Sequence, residues 1–130
     1  MNLGGKIQNI ANAKTKEEWD KILTVMITIN IQLAIFSIMA YTLFIGQYMQ
    51  WAYIEATKNI TIEPRWTDFF YTSAIYSHGS IYLFFCSSIT SLLGRICTPK
   101  KQKVFSFLLS SVIMLFGIFF TSLTFTQILR

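Results

Sequence analysis

The chain has 130 residues, of which 53% are hydrophobic and only 13% are charged, and its formal net charge is +5. A soluble domain carries about 25% charged residues, so this composition excludes an ordinary soluble fold and favours a protein that places its apolar surface in lipid. The basic residues cluster at the ends of apolar runs and do not form a stripe between aromatic residues, which argues against nucleic-acid binding.

The N-terminal segment, residues 1–21, is polar and precedes the first apolar run. Three apolar residues recur in it at i, i+4 and i+7, namely Leu3, Ile7 and Ile10. This spacing predicts a short amphipathic helix lying on the inner membrane surface. Thr15 and Glu18 have the spacing of a capping box, so we expect the next helix to begin near Lys16. No cleavable signal sequence is evident, because the following apolar run is too long for one.

Three charge-free runs follow, over residues 22–54, 69–94 and 104–129. A helix needs roughly 20 residues to cross ~30 Å of hydrocarbon, and each run is longer than that. The sequence therefore predicts an all-α integral membrane protein, with a transmembrane domain of three helices over residues 22–130. The predicted spans are about 22–49, 69–94 and 104–129.

Two connections separate the spans: an outer loop at about 50–68 and a basic turn at 95–103. The first helix has no strong stop before Ala56, so it can project beyond the lipid into this loop, where Pro64 then interrupts any helix. Aromatic residues crowd the boundaries of the loop, as a belt at the membrane surface would. The N-terminal segment and the turn each contain four basic residues, whereas the loop contains only Lys58 and Arg65. By the positive-inside rule, the N-terminus and the turn lie inside, and the loop and the C-terminus lie outside.

Two short features could be covalently modified. Asn59-Ile60-Thr61 matches an N-glycosylation sequon and falls in the predicted outer loop. Cys97 lies beside basic residues at the membrane edge, where a thiol could be palmitoylated. An unmodified interfacial cysteine is the simpler interpretation of Cys97, and a three-residue sequon is a weak match.

Small residues form one face of span two and one face of span three. The positions are Ser73, Ser77, Ser80, Ser87, Ser91 and Gly94 in span two, and Ser106, Ser110, Gly117, Thr121 and Thr124 in span three. Small faces let helices approach closely in lipid, so we expect spans two and three to pack as an antiparallel hairpin. On this interpretation Phe84 faces lipid. A pore lined by the hydroxyl groups is the alternative.

Span one carries its own polar residues. Thr24, Thr28 and Gln32 recur at i, i+4 and i+8, and Asn30 lies near them. Amide side chains in hydrocarbon tend to form hydrogen bonds across a helix interface. We therefore expect these four residues to face a partner subunit or a second copy of the chain.

His78 is the one histidine, and the sequence places it inside span two, toward the outer side. Ionisable residues within a membrane are costly and are often functional. One interpretation makes His78 an axial ligand of haem b, with Gly79 easing the approach of the macrocycle, or a contact for a quinone. The other makes it a neutral hydrogen-bond donor to a serine or tyrosine on a neighbouring helix.

With three spans, an inside N-terminus and a histidine in span two, the chain is similar in outline to the membrane-anchor subunits of succinate dehydrogenase. That resemblance implies a haem or quinone contact at His78. It covers only the outline and this histidine, because the family's serine–arginine quinone signature in the first span and its histidine-rich motif in the second helix are not found in the sequence.

The chemistry that the sequence omits also restricts function. The predicted spans contain no Asp or Glu, and the sequence contains no HExxH, CxxC, P-loop or GxSxG motif. We therefore expect a non-catalytic structural or accessory subunit of a larger multi-subunit membrane complex. The alternatives are a redox anchor that uses His78 and a self-assembling, holin-like pore, although the predicted inside N-terminus differs from the common three-span holin topology.

Overall fold

A computed structural model describes residues 3–58 and 64–126 of the chain. These residues form four α-helices: α1 (Leu3–Asn12), α2 (Lys16–Lys58), α3 (Pro64–Ile96) and α4 (Lys100–Thr126). Helix α3 packs against both α2 and α4, and α1 packs against α4. The three long helices are each long and apolar enough to cross a membrane, which confirms the predicted all-α class and the three membrane-length helices.

Helix α2 begins where the capping box predicts. The backbone N–H of Glu18 donates to Thr15 Oγ1 at 3.1 Å, and the backbone N–H of Trp19 donates to the Thr15 carbonyl at 3.1 Å. The Thr15 hydroxyl in turn lies 3.4 Å from Glu18 Oε1. The Glu18 side chain therefore meets the Thr15 hydroxyl, and the first turn of α2 is capped as expected.

Both connections are shorter than predicted. Helix α2 continues to Lys58 and α3 begins at Pro64, so most of the loop expected at residues 50–68 is helical. Proline is well accommodated at the first position of a helix, where its missing N–H is not needed, so Pro64 begins a helix and does not interrupt one. The basic turn is reduced to residues 97–99. The predicted sequon at Asn59 lies outside the described residues.

Helix α1 packs its apolar side against protein. Its contact cluster consists of Ala11, Trp19 and Val104, flanked by Ile7, Ile22 and Phe107. The Trp19 indole N–H also donates to the Ala11 carbonyl at 3.2 Å. Ile10 remains 46% exposed, whereas Ile7 is partly buried against the cluster. The Leu3 side chain lies outside the described residues.

The interior of the bundle consists mainly of small and polar side chains, whereas large apolar side chains cover its outside. Phe84 is an exception, because it is large and only 1% exposed. The prediction that Phe84 faces lipid is wrong, because this residue follows Ser80 by four positions and precedes Ser91 by seven on the buried face of α3. Its ring occupies the space opposite Gly117 of α4.

Two glycines allow α3 and α4 to approach closely. A Cβ atom at Gly117 would lie 2.7 Å from Cε1 of Phe84, and one at Gly94 would overlap the side chain of Ser106. At Gly46 of α2, by contrast, a Cβ atom would meet nothing within 4 Å. The space at Gly117 and Gly94 is therefore a requirement of packing between helices, whereas Gly46 lies in the open.

Replacing Gly117 by leucine is expected to destabilise the bundle by about 1–3 kcal/mol, because the new side chain overlaps Phe84. Gly46→Leu is the matched control and should be neutral or stabilise by up to ~1 kcal/mol, because leucine is the better helix former. Phe84→Ala should cost ~3–5 kcal/mol, as expected for loss of a buried aromatic ring. Denaturant unfolding in mixed micelles measures all three. Equal stability of the Gly117 and Gly46 variants would contradict this packing.

Candidate functional site

Hydroxyl groups connect α3 and α4 through two groups of hydrogen bonds. In the first, Ser87 Oγ donates to the Ser110 carbonyl at 2.8 Å and Ser110 Oγ donates to the Ser87 carbonyl at 2.9 Å. The Ser91 and Ser110 hydroxyl oxygens lie 2.5 Å apart. In the second, Ser80 Oγ donates to the Gly117 carbonyl at 3.2 Å and accepts from Thr121 Oγ1 at 3.1 Å. These hydroxyls therefore bond the backbone of the opposite helix as well as each other.

Most of the predicted packing residues lie in the interior. The buried ones are Ser73, Ser77, Ser80, Ser87, Ser91, Gly94, Ser110, Gly117 and Thr124, and the half-buried ones are Ser106 and Thr121. Thr124 donates to the carbonyl of Phe120 in its own helix, at 3.2 Å. The hydroxyl of Ser73 is buried without a hydrogen-bond partner in the described part of the chain.

The polar residues of span one separate into three environments. Thr24 and Thr28 donate to the carbonyls four residues before them, at 2.8 and 3.0 Å. Asn30 is fully buried and its amide N–H donates to the Met26 carbonyl at 2.8 Å, so it points into the bundle and not toward a partner, contrary to the prediction. Gln32 is exposed, and its carboxamide has no hydrogen bond within residues 3–58 and 64–126.

His78 is exposed and lies among tyrosine rings. Its ring centroid is 5.3 Å from that of Tyr41 on α2 and 4.7 Å from that of Tyr82, the latter pair meeting edge to face. His78 and Tyr41 line a cleft of about 180 Å³ together with Ile45, Tyr71, Ala74 and Ile75. The imidazole therefore packs against aromatic rings from two helices.

The surroundings of His78 do not fit haem within one chain. A Cβ atom at Gly79 would meet Phe120 of α4, whereas His78 lies against Tyr41 of α2, so the two residues do not form one face for a macrocycle. The cleft is also smaller than the roughly 300–1,000 Å³ typical of ligand pockets. Among the described residues, no three His, Cys, Asp or Glu side chains form a group that could hold a metal ion.

A buried lysine joins the three long helices at one end of the bundle. The Lys103 side chain of α4 is only 4% exposed. Its ammonium donates to Asp20 Oδ1 of α2 at 2.5 Å and to the Arg95 carbonyl, in the last turn of α3, at 2.9 Å. The C-terminal carbonyls of a helix carry partial negative charge, so this site suits a cation. One side chain therefore fixes the relative positions of α2, α3 and α4.

The sequence analysis did not identify this pair. Asp20 and Lys103 are 83 positions apart and flank separate spans. A signal for their contact was present, because Asp20 lies two residues and Lys103 one residue before an apolar run, and the beginnings of spans one and three lie on the same side of a three-span chain.

Comparison of the chain with protein-family models, with curated proteins and with solved structures finds no match. The functional argument therefore depends on the geometry of this chain.

Asp20→Ala is expected to destabilise the bundle by roughly 3 kcal/mol, near the lower end of the range for breaking a buried ion pair, because the Asp20 side chain is 40% exposed. Lys103→Met should cost less, since water can reach the Asp20 carboxylate that remains. Lys101→Met is the control: this lysine is exposed, and its loss should change stability by less than about 0.5 kcal/mol. Unfolding in mixed micelles measures the loss of stability in each variant. An Asp20→Ala loss as small as that of Lys101→Met would contradict a stabilising role for the Lys103–Asp20 ion pair.

Ser110→Ala should weaken the packing of α3 on α4 by about 0.6–1.7 kcal/mol, the range measured for hydrogen bonds between helices in membranes. Ser111 provides a matched control on the next position, because its hydroxyl donates only to the Phe107 carbonyl of its own helix, at 2.8 Å. Ser111→Ala should therefore leave stability unchanged. Equal losses for the two variants would show that the contacts of Ser110 with Ser87 and Ser91 contribute nothing.

Proposed function

We propose that the chain is an integral, multi-pass membrane protein that acts as a non-catalytic structural or accessory subunit of a larger membrane complex. The observation that carries the membrane assignment is the distribution of side chains between interior and surface. Hydroxyl groups fill much of the interior, while large apolar side chains such as Leu43, Leu115 and Phe119 are more than half exposed. Monomeric soluble proteins rarely expose extended apolar surfaces of this kind.

The dimensions of α4 support the same proposal. The ion pair of Lys103 with Asp20 lies at one end of the bundle, and the next 21 residues after Lys103, through Thr124, contain no charged side chain. A helix of that length rises ~32 Å, close to the ~30 Å thickness of bilayer hydrocarbon. Lys103 would thus lie at one membrane surface and Thr124 near the other.

The arrangement of basic residues supports an inside N-terminus. The contacts of Lys103 bring the start of α2, the end of α3 and the start of α4 to one end of the bundle. Lys21, Arg95, Lys100 and Lys101 therefore lie at that end, and α1 packs beside it. On the positive-inside rule this end faces inward, which puts the C-terminus outside.

Gln32 is the residue that calls for a partner chain. It follows Lys21 by eleven residues, which places it ~17 Å into the bilayer, close to the middle. Its exposed carboxamide has no partner in the described part of the chain, and an unsatisfied polar group in hydrocarbon costs several kcal/mol. A hydrogen bond from another subunit, or from a second copy, removes that cost.

The hydroxyl groups of α3 and α4 favour this proposal over a pore through the single chain. Ser80, Ser87 and Ser110 are buried and form hydrogen bonds between the two helices. Hydroxyl groups that form these hydrogen bonds hold the two helices together and do not line a water-filled pore.

Orientation can be measured by labelling single cysteines with a membrane-impermeant maleimide. In a variant with Cys86 and Cys97 replaced by alanine, Thr57→Cys should be labelled from outside and Lys101→Cys only after the membrane is opened, because these exposed positions lie at opposite ends of the bundle. The reverse pattern would contradict the orientation, and failure of the chain to float with vesicles would contradict membrane insertion.

Mild-detergent purification tests the role as a subunit. The intact chain is expected to purify with another chain or as an oligomer, and Gln32→Leu should weaken that association by about 0.6–1.7 kcal/mol. Gln50→Leu is the matched control, since Gln50 is exposed near the outer end of α2. Cross-linking and native mass measurement give the readout. A stable monomer with no co-purifying chain, or equal effects of the two changes, would contradict the proposed contact.

A further inference from the structure

We propose that the groove between α2 and α4 binds one anionic phospholipid of the inner leaflet; this inference rests on the proposed membrane insertion. The groove has a volume of about 350 Å³. Val25, Met26 and Ile29 line it from α2, Phe107 and Met114 line it from α4, and Lys21 lies at one end. Its wall is thus apolar apart from a single cation.

The length of the groove suits an acyl chain. From Lys21 to Ile29 the helix rises ~12 Å, and from Phe107 to Met114 it rises ~10 Å. One leaflet contributes about half of the ~30 Å of bilayer hydrocarbon, so the groove begins at the inner surface and ends within that leaflet. A partner helix would need a groove along the full thickness, which makes a lipid chain the better fit.

The positive charge of Lys21, at the inner end of the groove, favours a lipid with an anionic headgroup. Asp20, the carboxylate adjacent to Lys21 in the sequence, is paired with Lys103. Lys21 is exposed and has no ion pair within the described ranges. Lysine side chains near helix ends extend their ammonium groups to the membrane surface while their methylenes stay in apolar surroundings. The ammonium of Lys21 is therefore available to a lipid phosphate above the groove.

Trp19 provides a probe at the same end of the groove. Its ring centroid lies 5.9 Å from that of Phe107, which lines the groove, and both residues belong to the cluster against α1. The chain has three tryptophans; Trp51 lies in the last turns of α2 and Trp66 in the first turn of α3, at the end of the bundle opposite Trp19. Replacing these two by phenylalanine leaves Trp19 as the only tryptophan.

The experiment places this single-tryptophan chain in phosphatidylcholine vesicles that contain a minor fraction of lipid brominated near the glycerol. The quenching lipid is either phosphatidylglycerol or phosphatidylcholine at equal mole fraction. We expect phosphatidylglycerol to quench Trp19 with an apparent affinity about fivefold higher, the preference that one lysine near a membrane surface provides. Lys21→Gln should remove the preference, and Lys21→Arg should retain it.

Lys101→Gln is the matched control, because it removes the same charge from an exposed position of α4 outside the groove. Retention of the preference in this variant supports the site. An equal loss in Lys101→Gln and Lys21→Gln would overturn it in favour of general attraction to a basic surface. Equal quenching of the starting protein by both lipids would also overturn it.

Two further outcomes separate this inference from the membrane proposal. A chain that floats with the vesicles but shows no preference overturns the lipid site alone, whereas a chain that does not float overturns both. In the background without Cys86 and Cys97, Val25→Cys reports on a protein occupant. Efficient disulfide cross-linking between copies, with quenching by neither lipid, would assign the groove to a second copy and overturn the lipid site.

Discussion

The ammonium of Lys103 fixes the register on which the other helix contacts depend. It lies between a carboxylate of α2 and the last turn of α3, so all three long helices are held at one level. Farther along the bundle from this ion pair, Ser87 forms hydrogen bonds with Ser110, and the Phe84 ring packs against Gly117. A shift of α4 by one turn, ~5.4 Å, would separate each of these pairs. The ion pair thus acts mainly through specificity of packing, since the desolvation of buried charges offsets much of their attraction.

The middle of the bundle is held by close approach of small residues. Lipid tails are as apolar as leucine, so the hydrophobic effect does not drive one apolar helix onto another within a bilayer. Gly94 and Gly117 bring α3 and α4 near enough for backbone carbonyls to accept hydroxyl hydrogen bonds from the opposite helix. Each bond is weak, but each has a defined geometry. Large side chains lie on the outside of the bundle, where lipid would surround them at little cost in the proposed membrane setting.

The sequence predicted the long helices well because length and freedom from charge decide whether a helix can span a bilayer. It also predicted that α2 continues after its apolar character weakens, because Gln47, Gln50 and Glu55 are good helix formers, and α2 ends at Lys58. It did not predict that Pro64 begins a helix. The error at Phe84 arose from treating side-chain size as a guide to environment, although the glycine facing it determines the space. The burial of Asn30 depends on how α2 is rotated, and the pairing of Asp20 with Lys103 depends on contacts distant in sequence.

At the opposite end of the bundle from Lys103, α2 and α3 are held by a third kind of contact. Phe44 and Phe69 meet with ring centroids 6.0 Å apart, Tyr48 and Tyr71 with centroids 5.3 Å apart, and Trp51 and Phe70 with centroids 6.3 Å apart. Aromatic rings suit this end because they pack through their faces and edges while tyrosine and tryptophan keep a polar group for the membrane surface. His78 contacts Tyr41 and Tyr82 where this aromatic region begins, so the position of the one histidine is set by ring packing.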